Sequence, residues 1–419
     1  MPEPGATDPG ATLRLTIEDV AYRGPGVARH EGMVVFINRV APGERVEAEI
    51  TRSRKRYAEA RLLRVIEASP DRIAPCAEIA PELSLPGCVY DFLDYPAEVD
   101  IKQRQLLGLL RHTPDLASLA LAPFPAPHPL HYRNKIVLHV QRPGTAPARI
   151  GYVGEDNRTV IDLVACPLAC DAINFAWEAQ REHAGRTLAD GQRVTLRWTQ
   201  ADGVRSWVDD APAEAPLLTE ASAAGPIRVP LGGFYQVNPE VADALIRQVR
   251  DWSAAAAAEF GRHDLLDLYC GVGVFGLACA TNATQRLIGL EQARGAVAAA
   301  RLNERERKRT ATFRGVRVED AARTGFDGAD LPQSLVIADP PRQGLDPVVV
   351  RTLGQGQAPH LFYVSCDPAT LVRDLQRLQP FGYRLRAVRL FDMFPRTAHF
   401  ETAVWLSLDP ARSASSRPN

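Results

Sequence analysis

Apolar and polar positions change rhythm three times along this chain. From Leu13 they alternate in short runs, LRLTIEDV, GMVVFINRV and RVEAEITRS, with turn signals at Gly24-Pro25-Gly26 and Ala41-Pro42-Gly43. Alternation puts every second side chain on one face, so several such runs at roughly ten-residue spacing predict a small, OB-like β-barrel. Over residues 99–112 the spacing becomes that of an amphipathic helix, which ends before a Pro-rich loop at 122–129. RNKIVLHVQ, RIGYV, TVIDLV and RVTLRWTQ then read as strands, which predicts a central, mostly antiparallel α+β domain over 69–225. Past 226, a helix at 241–260 precedes apolar runs separated by helical stretches: LLDLYC, RLIGLE, SLVIADPP and HLFYVSCDP. Strands apolar on both faces and alternating with helices predict a parallel, doubly wound, Rossmann-like domain over 226–410. The chain is thus expected to be multidomain α/β, with the barrel at 12–68. Its small, polar ends, 1–11 and 411–419, are expected to be disordered tails.

Composition narrows the class. Of 419 residues, 46% are apolar and 24% charged, which are globular values. No apolar run approaches the roughly 20 residues of a membrane span. The first residues carry neither the basic nor the apolar segment of a signal peptide, so no membrane association and a cytoplasmic location are expected. Seven cysteines in such a chain point to reduced thiols, a metal or cluster site, or catalysis rather than a disulfide scaffold. Charge nearly cancels, 49 Lys+Arg against 50 Asp+Glu, and that total suggests no nucleic-acid partner. Its distribution does. Residues 51–64 carry Arg52, Arg54, Lys55, Arg56, Arg61 and Arg64 against Glu59 alone, with Tyr57 among them. Such a run is either a solvated strand face or a phosphate-contacting rim with a stacking ring.

The candidate chemistry lies at the ends of the late apolar strands, where doubly wound sheets bind ligands. Gly271, Gly273 and Gly276 follow a strand in GxGxxG spacing, and Glu291 ends the next strand, where a carboxylate can hold ribose hydroxyls. Nicotinamide oxidoreductases and S-adenosylmethionine (AdoMet) methyltransferases share this layout. Asp339-Pro340-Pro341-Arg342 and Ser365-Cys366-Asp367-Pro368 at two further strand ends favour methyl transfer. Cys366 precedes a helix whose N-terminus can lower a thiol pKa, and the thiolate is the nucleophile. Cys270 and Cys279 read as packing residues. Thiolate and AdoMet together suit carbon methylation of a pyrimidine: sulfur adds to C6, C5 becomes nucleophilic, and a base then removes the C5 proton. Glu401 supplies a carboxylate on a late strand, with His399 expected on the same face.

LDLYCGVGVFGL, IADPPRQGL, YVSCDPATLVRDL and FPRTAHFET, in this order, resemble the successive signatures of the RNA uracil-5-methyltransferase family, which makes 5-methyluridine. FYQVN at 234–238 is similar to the segment before that family's AdoMet domain, and residues 13–66 resemble the TRAM domain of its ribosomal-RNA members. The resemblance implies Cys366 as nucleophile and Glu401 as proton-abstracting base. It implies Gln236, Tyr269, Gly271, Gly273, Glu291, Asp320 and Asp339 around AdoMet, and Phe234, Asp339 and Arg342 toward the RNA. It implies 23S ribosomal RNA as substrate, with transfer RNA as the alternative, and a monomeric enzyme. A catalytically silent RNA-binding protein on the same fold is the reading from a different class. Many members also hold a four-iron four-sulfur cluster on four cysteines. Here Cys76, Cys88 and Cys166 match three of them, Leu85 stands where a Cys-x-x-Cys partner of Cys88 would be, and Cys170 is a substitute ligand. A bound cluster and a degenerate site that packs without metal both stay open.

Overall fold

The computed structural model describes residues 8–75, 87–144, 147–154, 156–212, 214–282, 284–307 and 311–409. Its described residues separate into two compact units. One comprises 1–108 with 153–161 and 394–399, and the other holds the remainder. The tail residues 1–7 and 411–419, and Cys76, lie outside the described residues.

The first unit opens with β1 (Thr12–Thr16), β2 (Asp19–Val20), β3 (Gly26–His30), β4 (Met33–Ile37), β5 (Arg45–Ser53) and β6 (Tyr57–Glu67). They form one sheet in the order β1-β5-β6-β4-β3-β2, antiparallel except for the β4/β6 pair. The alternation works as the sequence predicts. Leu13, Leu15, Ala28, Val35, Ile37, Val46, Ala48, Ile50, Ala58 and Ala60 bury their inward faces in a single cluster. Asp8–Ala11 is also tied to this sheet, because the Gly10 amide donates to the Ile50 carbonyl at 2.8 Å. Helix α1 (Tyr95–Leu109) starts four residues earlier than the apolar spacing suggests, with Pro96 in its first turn. It buries Glu98 and Lys102 completely, 2.7 Å apart, and Glu98 also accepts the Arg396 amide at 2.7 Å, which ties down the segment 394–399.

After α1 come α2 (Leu116–Leu119), β7 (Lys135–Gln141), β8 (Arg149–Val153), β9 (Val160–Asp162), α3 (Asp171–Thr187), β10 (Arg193–Thr199) and β11 (Gly203–Val208), of which Val153, Val160 and Ile161 count with the first unit and the rest with the second. Strands β11, β10, β7 and β8 pair antiparallel in that order. A β12 (Leu218–Glu220)/β13 (Ile227–Val229) ribbon leads to α4 (Pro239–Phe260). Then come β14 (His263–Leu268), α5 (Val274–Cys279), β15 (Thr284–Glu291), α6 (Arg294–Glu306), β16 (Ala311–Gly315), α7 (Val318–Arg323), β17 (Ser334–Ala338), α8 (Pro347–Gly356), β18 (His360–Ser365), α9 (Pro368–Leu378), β19 (Tyr383–Phe391) and β20 (Glu401–Leu408). The seven-stranded sheet runs β16-β15-β14-β17-β18-β20-β19.

Strands β14, β17 and β18 are buried at every position, as their unbroken apolar runs imply. Three helices begin with an Asx-Pro pair that the sequence displays: Asn238, Asp346 and Asp367 each accept a backbone amide of the first turn, and proline follows. One expectation changes. The sheet is not wholly parallel, since β20 inserts antiparallel between β18 and β19. That insertion brings residues far apart in sequence to one edge of the sheet.

Candidate active site

The site is built at the carboxyl ends of β14, β15, β17 and β18. After β14 the backbone turns through Tyr269, Gly271 and Gly273, all with positive φ (60°, 54° and 84°). For tyrosine this conformation carries strain of about 1–3 kcal/mol, a cost that clusters at functional turns. Gly273 has a second reason to be glycine: a Cβ there would sit 2.9 Å from the Phe313 ring. Around a Cβ at Gly271 there is open space, so a ligand can approach the backbone. Gly276 packs on Asp267, whose Oδ2 accepts its amide at 2.8 Å. Glu291 closes the turn from β15, accepting the Gly271 amide at 3.2 Å and the Ala293 amide at 2.7 Å. The Tyr269 hydroxyl donates to Glu319 at 3.2 Å. Asp320, the next residue, is exposed and pairs with Arg323. Gln236 is half-buried just before α4, and Phe234 is exposed.

The reactive groups come from three strand ends. Ser365 of β18 pairs with Thr402 of β20, so Cys366 and Glu401 occupy the next position of the same ladder. Ala338, the last residue of β17, pairs with both Leu268 and Tyr363, so Asp339 follows at the carboxyl end of β17, beside the end of β18. Strand β20 begins at Glu401, so no strand alternation puts His399 on its face.

Electrostatics decides how these groups rest. Burial pushes the Cys366 thiol up to about 12, and the carboxylates of Glu401 and Asp339 add to that; the Arg342 guanidinium pulls the other way. This corrects the expectation of a lowered thiol pKa. The physical reason is burial; the first amides of α9, moreover, are taken by its own cap, Asp367, which accepts from Ala369 at 2.9 Å and Thr370 at 3.1 Å. Glu401 is 3% exposed, and burial drives its carboxyl well above the usual range, with Asp339 adding to the shift and Arg342 opposing it. Asp339 keeps some accessible surface, yet burial raises it to about 7. The cluster is a neutral thiol among carboxyls that favour holding a proton, with one nearby cation.

Two residues that sequence reasoning missed organise this site. Asp267 is fully buried, and burial raises it to about 7; its Oδ1 has no hydrogen-bond partner among the described residues. Asp374 on α9, also fully buried, clamps the loop that carries Arg342. It accepts the Leu345 amide at 2.7 Å, the Tyr363 hydroxyl at 3.0 Å and Arg373 Nε at 2.9 Å, while Arg373 also donates to the Gln343 carbonyl at 2.6 Å. Asp267 was legible as the acid preceding the glycine turn. Asp374 gives no signal within a helical stretch rich in Arg.

Of the four suggested cluster ligands, Cys76 lies outside the described residues. Cys88 lies in the first unit and Cys166 and Cys170 in the second, all as free thiols. Cys166 Sγ is 3.4 Å from the Tyr152 hydroxyl, and burial pushes the Cys170 thiol up. Among the described residues no three His, Cys, Asp or Glu side chains could hold a metal ion. Cys270 and Cys279 are buried with raised thiol pKa values, in keeping with packing roles. No helix among the described residues is long and apolar enough to cross a membrane.

The basic run divides in two. The β5/β6 register sets Arg64 opposite Glu47 (2.7 Å), Arg61 opposite Glu49 (2.5 Å) and Arg52 opposite Glu59 (4.0 Å). Arg54, Lys55 and Arg56, at the hairpin tip, are exposed and make no ion pair among the described residues. Tyr57 beside them packs edge-on to Phe36, 5.7 Å between ring centres.

Comparison with known proteins agrees with this geometry. Residues 227–409 match the family model described as tRNA (Uracil-5-)-methyltransferase, and residues 6–63 match the TRAM domain. The 23S rRNA (uracil(1939)-C(5))-methyltransferase RlmD of Chromohalobacter salexigens is 31% identical over 96% of this chain and 90% of its own length. An uncharacterized RNA methyltransferase of Thermosynechococcus vestitus is 29% identical, over 95% of this chain and 98% of that protein. The fold matches the Pyrococcus abyssi tRNA (uracil-54, C5)-methyltransferase, solved in complex with S-adenosyl-L-homocysteine, at a TM-score of 0.71 and 22% identity, covering 94% of this chain and 99% of that one. With a thiol and a carboxyl at the ends of neighbouring strands, and with relatives matched over almost its full length, the chain belongs to the RNA (uracil-C5) methyltransferase family.

Proposed function

We propose that the chain methylates C5 of a uridine in 23S ribosomal RNA, with AdoMet as methyl donor. The observation that carries the proposal is the adjacency of Cys366 and Glu401 at the end of the β18/β20 ladder, with the Asp339 carboxyl, just past β17, acting on both. The TRAM-matched region and relatives named for 23S rRNA favour that RNA over transfer RNA.

The residues fit a bound AdoMet. Gly271 leaves open backbone, Glu291 presents a carboxylate at a strand end, and Asp267 keeps an unpartnered buried oxygen near the turn. When bound, AdoMet supplies an electrophilic methyl group. Cys366 releases its proton to water and its sulfur bonds to C6, moving the C5=C6 pair toward the O4 carbonyl and making C5 nucleophilic, while Glu401 stands as the carboxylate that the later step needs. Once C5 carries the methyl group, Glu401 removes the C5 proton. The electron pair restores C5=C6 as the C6–S bond breaks. A carboxyl with a raised pKa suits that step, because it must accept a proton from carbon. Glu401 then returns the proton to the Cys366 thiolate, and both groups are reset.

Incubation with AdoMet and 5-fluorouridine-containing RNA tests the proposal, because fluorine cannot leave as a proton and the adduct persists. A covalent complex on 23S rRNA fragments but not on transfer RNA is expected. A complex on transfer RNA alone refutes the substrate, and no complex with either RNA refutes the mechanism.

A further inference from the structure

Phe234 leaves 75% of its surface in solvent, yet the turn that carries it is held from beneath. Arg197 on β10 is 1% exposed. Its Nη1 donates to three carbonyls of that turn, Pro230 at 3.2 Å, Leu231 at 3.2 Å and Gly233 at 2.9 Å, while Nη2 donates to Glu220 at 2.7 Å. Burial raises the Glu220 carboxyl and the Arg197 charge opposes that shift, so the pair is a desolvated ion pair under the turn. A Cβ at Gly232 would come 2.8 Å from Ala211, so the turn also packs closely on its neighbour. On the far side of Phe234, the Asn134 amide donates to the Val237 carbonyl at 2.9 Å and Asn238 caps α4.

An aromatic ring kept in solvent on a turn pinned at both ends is ordered before any partner arrives, so binding does not have to order it. Every RNA base offers a face to stack on. A uridine inside folded RNA has to leave its stack before a thiol can reach C6, and that extrusion is costly. We infer that Arg197 is a positioning residue for RNA: by holding the Pro230–Gly233 carbonyls it presents Phe234 as a rigid wedge that stacks where the target uridine leaves its helix. This rests on the proposed function. Arg197 itself is too deeply buried to touch RNA and acts through Phe234.

The test uses the full chain with R197K, which keeps the charge facing Glu220 but lacks the planar fork that reaches three carbonyls and a carboxylate at once. If R197K does not fold, R197M/E220M removes both buried charges together. Two substrates are compared: a folded RNA that the wild type methylates, and a short unstructured oligonucleotide containing the same uridine. On the folded RNA, kcat/KM should fall about tenfold or more; on the oligonucleotide it should fall less than about twofold, because no extrusion is needed. F234A should show the same pattern, R197K should add nothing to F234A, and AdoMet affinity should not change. Equal losses on both RNAs, additive losses with F234A, or a wild-type rate on the folded RNA would each overturn the inference. Trapping by 5-fluorouridine RNA separates the two levels. A wild type that forms no adduct removes the proposed function itself, whereas adduct formation with unaffected R197K kinetics removes only the role of Arg197.

Discussion

The hairpin between β5 and β6 makes a quantitative prediction about RNA binding. Counted from sequence, six basic residues face the partner. In the structure Arg52, Arg61 and Arg64 are matched by Glu59, Glu49 and Glu47, and only Arg54, Lys55 and Arg56 remain to neutralise phosphates. If each meets one phosphate, their replacement by Gln should make the slope of log K against log salt shallower by about 2.7, at roughly 0.9 per phosphate in duplex RNA taken as for DNA. Between about 50 and about 200 mM salt, that difference amounts to about 40-fold in affinity. Fluorescence anisotropy of a labelled rRNA fragment across that range measures the slope directly. A control replaces Arg61 with Glu49, and Arg64 with Glu47, all by Gln, which deletes two pairs without changing net charge; its slope should match the wild type. The hairpin is exposed, so stability should move by no more than about 0.5 kcal/mol, and AdoMet affinity should be unchanged. An unaltered slope in the R54Q/K55Q/R56Q variant, or an equal change in the paired control, refutes the assignment of this tip as the phosphate contact.

Further consequences follow from the reactive cluster. E401Q should accumulate a covalent RNA complex with ordinary uridine on a denaturing gel, because sulfur can add but the C5 proton cannot leave; turnover at the wild-type rate would count against Glu401 as the base. With its thiol near 12, Cys366 should react with iodoacetamide about tenfold faster per pH unit between about pH 7 and 10. R342Q should slow that reaction at every pH, since Arg342 is the cation favouring the thiolate; a plateau below pH 8 would contradict the raised pKa. Asp267 rises from 3.8 to about 7 on folding, so the folded state favours its neutral form. Its contribution to stability is full below about pH 4 and is lost as pH rises toward 7, by up to about 4 kcal/mol. D267N should therefore gain stability relative to wild type between pH 5 and pH 8 in urea titrations; a pH-independent difference would exclude a buried, raised carboxyl. D374N, which weakens the clamp on the Arg342 loop, should lower kcat about tenfold or more while leaving AdoMet binding intact in calorimetry.

Most of the strands, the glycine turn and the candidate reacting groups were legible in the sequence. Local patterns suffice for these: alternation in the barrel, unbroken apolar runs in β14, β17 and β18, Asx-Pro pairs at helix starts, and motifs at strand ends. Helix α3 and strands β3, β11, β12, β13 and β19 were not legible, because they are short or carry no clean period. The tertiary structure decided the electrostatics. Cys366 and Glu401 meet because β20 inserts antiparallel beside β18, a non-local pairing that no window of sequence contains. The thiol rests neutral because burial and two carboxyls act on it, and the first amides of α9 are already taken by Asp367. Three of six basic residues left the RNA-facing count because the β5/β6 register put glutamates opposite them. A motif names the group that can react; its charge depends on desolvation and on neighbours within a few ångströms, and only the folded chain supplies those.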